Sequence, residues 1–142
     1  MQENSLDINQ LIKVAGLASQ HAVAPSSQFR VGAALLTKHG SIYTGCNIES
    51  PVYLGICAER VALFKGLSEG ARQFVALAIV CEEGGPCPPC GTCRQLLWEF
   101  APSLQIILVE EDGSPRVHII EELLPGPFER GGRKPFEEKD RI

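Results

Sequence analysis

A chain of 142 residues, 44% of them hydrophobic, is long enough for one domain that buries roughly 70% of its unfolded surface without cross-links. Seventeen acidic residues against 13 basic ones give a net charge of −4, and the one basic cluster, Arg130, Arg133 and Lys134, is followed at once by Glu137, Glu138 and Asp140, which argues against nucleic-acid binding. No apolar run nears the ~18 residues of a membrane span, no signal-peptide pattern opens the chain, and its cysteines suit a reducing compartment, so the expected location is the cytoplasm.

Leu6, Ile8, Leu11, Ile12, Ala15, Leu17 and Ala18 recur at helical spacing behind Ser5, predicting an amphipathic helix over residues 5–22 that ends at Ala24-Pro25-Ser26-Ser27. Two β-rich runs, 29–37 and 41–47, flank Lys38-His39-Gly40, a hairpin turn. A second helix is expected over 57–68, closed by Gly70. The continuous apolar run 74–81 reads as a strand buried on both faces. The Gly- and Pro-rich stretch 84–89 leads into a third helix, 90–100, stopped before Pro102. Strands at 104–109 and 116–120 surround the turn Glu111-Asp112-Gly113-Ser114, and a helical turn follows at 121–124. Residues 129–142 are polar and rich in Gly, Lys and Glu, hence a tail beyond a domain of 1–128. Strands alternating with helices give an α/β fold with helices on both faces of the sheet.

Two segments carry chemistry: Cys57-Ala58-Glu59-Arg60 and Pro89-Cys90-Gly91-Thr92-Cys93-Arg94-Gln95. A structural zinc site closes with four protein ligands, whereas a catalytic one keeps three and an open position. Cys57, Cys90 and Cys93 supply three thiolates, and Glu59 is a carboxylate outside the ligand set, the combination found in zinc deaminases. Both segments fall at predicted helix starts, where free N–H groups and the positive dipole end stabilise thiolates. Cys90 and Cys93 lie three apart, on one helical face, so both sulfurs can reach one zinc ion per chain. Glu59 is placed to take a proton from metal-bound water, pass it to a ring nitrogen and protonate the leaving amine. Three thiolates on Zn²⁺ sum to −1, which weakens the metal as a Lewis acid. Arg60 and Arg94 are the cations able to draw charge off the sulfurs, although a solvated or Glu-paired arginine is the plainer alternative.

With Phe29-Arg30-Val31-Gly32-Ala33-Ala34-Leu35, Gly45-Cys46-Asn47-Ile48-Glu49 and Leu123-Leu124-Pro125 added in order, residues 24–128 resemble the small homotetrameric cytidine deaminases. The resemblance implies a three-layer αβα sandwich around a mixed five-stranded sheet. It implies hydrolytic deamination of cytidine and 2′-deoxycytidine to uridine and 2′-deoxyuridine in pyrimidine salvage, with zinc-bound hydroxide as nucleophile. It also implies that Asn47 and Glu49 bond the ribose 3′-hydroxyl, Phe29 frames the pyrimidine, Ala58 offers its backbone to the base, and Phe128 covers the base from a neighbouring subunit. Two departures stand out. The segment Tyr53-Leu54-Gly55-Ile56-Cys57 is one residue shorter than is usual in the family, and Ser26 replaces a usual tyrosine.

Plainer readings compete at several positions. Cys87 creates a second Cys-x-x-Cys frame with Cys90 and a ferredoxin-like run of cysteines, but position 97, where that run needs a further cysteine, is Leu, so Cys87 reads as a bystander. Cys46 and Cys81 read as small apolar fillers, and His21, His39 and His118 have no partner at ligand spacing. Phe29 and Phe128 taken alone suit a core, and Asn47 with Glu49 a solvated strand end. Three rival functions share part of the pattern: a nucleic-acid-editing deaminase, a deaminase of cytosine-nucleoside antibiotics, and a non-catalytic zinc or iron–sulfur module. The acidic balance and the cysteine at position 57 disfavour the first, Glu49 disfavours the second, and an unemployed Glu59 disfavours the third.

Overall fold

The structure, a computed structural model, describes residues 6–129. The proposed tail, apart from Glu129, and the start predicted behind Ser5 lie outside them. In chain order the elements are α1 (Ile8–Ser19), β1 (Val31–Thr37), β2 (Ile42–Cys46), α2 (Ala58–Ser68), β3 (Phe74–Cys81), α3 (Gly91–Phe100), β4 (Gln105–Val109), β5 (Pro115–Ile119) and a 3-10 turn (Ile120–Leu123). The first helix is capped by Asp7, whose Oδ1 accepts from the Gln10 N–H at 3.0 Å, and it ends three residues sooner than predicted. The strand expected over 74–81 is Phe74–Cys81.

Five strands form one mixed sheet in the order β2-β1-β3-β4-β5. β3 and β4 run parallel, and every other neighbouring pair is antiparallel. Alternation along the strands sorts the core into two layers. Ala34, Ala76, Ala78 and Ile107 face one way and pack with Leu11 and Ala15 of α1. Ala33, Leu35, Leu77, Ile79 and Ile106 face the other and pack with Ala58, Ala62 and Leu63 of α2 and Leu97 and Trp98 of α3. The result is the expected three-layer sandwich.

The α1 side of the sheet is lined with small residues, so this helix comes close. A Cβ on Gly32 would fall inside the Ala15 carbonyl and the Ser19 N–H. On the opposite face, a Cβ on Gly45 would fall inside the Ala58 carbonyl and the Ala62 N–H. Glycine at position 45 is what lets the start of α2 rest on β2.

Register pairing brings three strand ends together, because Gly32 faces both Cys46 at the end of β2 and Val80 near the end of β3. The loops leaving β2 and β3 therefore emerge side by side and feed α2 and α3. Ligand sites in open α/β sheets lie at such carboxyl ends. Among the described residues no helix is long and apolar enough to cross a membrane.

Candidate active site

Cys57 and Cys90 are the N-cap residues of α2 and α3, both with extended backbone and neither with a side-chain cap bond. A serine or aspartate there would spend its oxygen on the helix N–H groups. A cysteine leaves its sulfur free to point outward. Cys93, on the first turn of α3, is fully buried, Cys57 is half-buried and Cys90 is exposed. The Cys57 and Cys90 sulfurs lie 3.8 Å apart, and the three sulfurs all fall within 4.8 Å of one another. Tetrahedral ligands at the ~2.3 Å zinc–sulfur distance are separated by ~3.8 Å, so the residues fit that ion. Among the described residues these three form the one group of three or more potential ligands drawn together, and Cys87 is outside it.

The electrostatics point the same way. Burial, with Glu59 and Cys57 nearby, pushes the Cys93 thiol well up. Burial also pushes the Cys90 thiol up, but hydrogen bonds from the Cys93 backbone and side chain and from Cys57 outweigh it, and Cys90 sits below its ordinary value. Three thiolates at this point need a cation to hold them ionised. Burial and the neighbouring Cys81 push the Cys87 thiol up to about 12.

Glu59 follows Cys57 by two positions yet turns inward. It is buried, at 5% exposure, and a hydrogen bond joins it to Cys93. Burial raises its carboxyl pKa, with the Cys93 bond and the Arg60 charge pulling the other way. The spacing alone places it away from the ligand set. The fold places it against the third ligand.

The two arginines part company. Arg60 Nη2 donates to Cys57 Sγ at 3.4 Å, while its Nε is buried with no acceptor among the described residues. The Cys57 sulfur in turn raises the Arg60 pKa against the opposing effect of burial. Arg94 instead donates from Nε to the Pro89 carbonyl at 2.7 Å and from Nη1 to the Leu123 carbonyl at 2.8 Å. By these two bonds Arg94 clamps the loop before α3 to the 3-10 turn.

Asn47 and Glu49 both hold the stretch that leads into β1. Asn47 Nδ2 donates to the Phe29 carbonyl at 2.8 Å, and its Oδ1 accepts from the Val31 N–H at 2.9 Å. One amide hydrogen and one lone pair remain for another partner. Glu49 Oε1 accepts from the N–H groups of Ser26 and Ser27 at 3.0 and 3.1 Å, so the strand end is not simply solvated. The Phe29 ring is half-buried against the core layer that holds α2 and α3. Ala58, on the first turn of α2, is fully buried. Phe128 is 70% exposed, with both backbone groups bonded to the Gln95 side chain.

The zinc region of known deaminases matches this arrangement. A family profile described as the cytidine and deoxycytidylate deaminase zinc-binding region covers residues 6–109. The chain belongs to that family. A cytidine deaminase of Halalkalibacterium halodurans is 47% identical over 125 residues, which is 87% of this chain and 95% of that protein. The crystal structure of cytidine deaminase from Burkholderia pseudomallei superposes with a TM-score of 0.81 at 43% identity, covering 87% of this chain and all of that one. A Blasticidin-S deaminase of Bacillus cereus is 32% identical over 115 residues, 73% of this chain and 80% of that protein. The contact of Gln95 with Phe128 and the packing role of Gly45 had no sequence signal of their own. Gln95 meets Phe128 across 33 positions, and Gly45 meets α2 only once the helix is docked.

Proposed function

We propose that this chain is a zinc-dependent cytidine deaminase acting on cytidine and 2′-deoxycytidine in the cytoplasm, with residues 1–128 as the catalytic domain. The observation that carries the reading is the buried Glu59 beside a three-thiolate cluster built for one metal ion. Zinc held by Cys57, Cys90 and Cys93 would supply a water nucleophile at neutral pH.

Everything else falls to the chain's own side chains. Glu59 accepts one proton of the attacking water and carries it to the ring nitrogen, then takes the second from the newly added hydroxyl and delivers it to the departing amine. A carboxyl whose pKa is raised by burial is suited to both taking and giving a proton. Arg60 draws charge from the Cys57 sulfur. The backbone of Ala58 meets the base, the Phe29 ring frames it, and Asn47 with Glu49 orients the sugar through the 3′-hydroxyl.

The active species is an oligomer, read as a homotetramer in which Phe128 of one subunit covers the base in another. Its support is exposed apolar surface: Tyr53 is 97% exposed, Leu54 82% and Phe128 70%. Surface of this kind on a single chain marks a site of association. Following cytidine turnover by absorbance tests the activity, with 3′-deoxycytidine, free cytosine and blasticidin S as comparison substrates. Fast turnover of cytidine and 2′-deoxycytidine alone is expected, and turnover of blasticidin S alone would reassign the substrate. Light scattering on a sizing column reads the mass, and a fully active single chain would remove the shared-pocket reading.

A further inference from the structure

We infer that Gln95 is a positioning residue that fixes Phe128 and through it sets the affinity for nucleoside. The inference rests on the reading above that the Phe128 ring closes a pocket. Gln95 Nε2 donates to the Phe128 carbonyl at 3.0 Å, and the Phe128 N–H donates back to Gln95 Oε1 at 3.2 Å. One side-chain amide thus grips both backbone groups of one residue, as a strand partner would.

The grip has a single orientation. Nε2 also donates to Glu99 Oε1 at 3.0 Å. Turning the amide over would aim its oxygen at the Phe128 carbonyl and at the Glu99 carboxylate, so the two acceptors lock it. Glu99, one turn further along α3, is therefore part of the device.

Among the described residues, the hydrogen bonds that hold the Phe128 backbone come from Gln95. Phe128 is 70% exposed, and the segment before it bends at Gly126, whose φ is +63°. Another tie in this region is the bond from Arg94, the residue next to Gln95, to the Leu123 carbonyl. Both anchors sit on α3, whose first turn carries Cys93 and whose cap is Cys90. The Phe128 backbone is consequently tied to α3 of its own chain, which presents the ring outward. Fixing it before substrate arrives removes an ordering cost from binding.

The test compares Gln95→Leu, Phe128→Ala and the double variant, each purified with its zinc content measured. Gln95→Leu is expected to raise KM for cytidine about tenfold, the loss of the two backbone bonds, with kcat changed by less than about twofold and one zinc per chain retained. Hydrogen exchange should show the Phe128 amide losing protection in Gln95→Leu and keeping it in Phe128→Ala, since Gln95 bonds only the backbone there. In the Phe128→Ala background, Gln95→Leu should add no more than about twofold to KM, because both act through one ring. Full additivity of the two KM effects, or a raised KM with Phe128 still protected, overturns the inference. Normal KM in Gln95→Leu with a defective Phe128→Ala overturns it while sparing the pocket reading. Normal KM in Phe128→Ala overturns the pocket reading and this inference together.

Discussion

Arg60 Nη2 lies 3.4 Å from the sulfur of Cys57, one turn back on the same helix, so the guanidinium and the thiolate are held in register by α2 itself. Removing the guanidinium returns negative charge to the metal centre, and changes of this kind around a metal cost about 10–100-fold in affinity or activity. Arg60→Gln is expected to keep the fold and lose activity in that range. Steady-state kinetics with a zinc titration check it, and unchanged values would make Arg60 a bystander.

Cys57→Ala, Cys90→Ala and Cys93→Ala are each expected to lose zinc, while Cys87→Ala keeps it. The sulfurs within 4.8 Å of one another belong to the first three alone. Metal analysis of the four purified variants decides the matter. Zinc lost from Cys87→Ala would move the ligand frame by three residues.

Glu59→Gln preserves shape and removes the carboxyl proposed as the proton carrier. General acid–base groups contribute about 10²–10⁴-fold, and turnover should fall by at least that much with zinc still bound. Single-turnover assays on the zinc-loaded variant measure it, and near-normal rates would take Glu59 out of the chemistry.

The Ser27 hydroxyl, with the N–H groups of Ser27 and Ser26, holds the Glu49 carboxyl below its ordinary value of 4.5. A depressed carboxyl adds stability that is complete above the unfolded value and drains away as pH falls through the folded one. Protection of the Ser26 and Ser27 amides should accordingly be steady at neutral pH and decline below pH 4.5. Glu49→Gln should lower it at neutral pH and flatten the decline. Amide exchange measured by NMR from pH 7 downward reads this out, and a wild-type profile in the variant would dissociate Glu49 from the loop.

Gly45→Ala places a methyl group against the Ala58 carbonyl and the Ala62 N–H, both backbone and unable to rotate away. Overpacking typically costs about 1–3 kcal/mol, and the shifted start of α2 should weaken zinc retention as well. Urea unfolding and a chelator competition measure the two effects. A variant as stable as the parent would mean that α2 can slide on β2.

Elements with strong local signals were legible. The run 74–81 is apolar on both faces and forms the central strand with no shift of boundary. Cysteine spacing, set against Gly91 and the Arg94-Gln95 context, picked the ligand frame out of a chain with six cysteines. Features that depend on docking were not legible. Glu59 is two residues from Cys57 in sequence, but its partner is Cys93, brought in by α3. Arg94 reads as a cation beside a ligand, and only the return of the chain past α3 reveals that the Leu123 carbonyl claims it. Asn47 offered an amide at a strand end, and its pairing with Phe29 and Val31 required the β1–β2 register.

Cys57 and Cys90 cap different helices 33 residues apart, with their sulfurs 3.8 Å from each other. An ion shared between them is a cross-link, and closing a loop of that length in the unfolded chain is worth about 3–4 kcal/mol on a chain-entropy estimate. Demetallation would then resemble reduction of a disulfide, loosening the α2–α3 seam while the α1 side of the sheet keeps its own apolar layer.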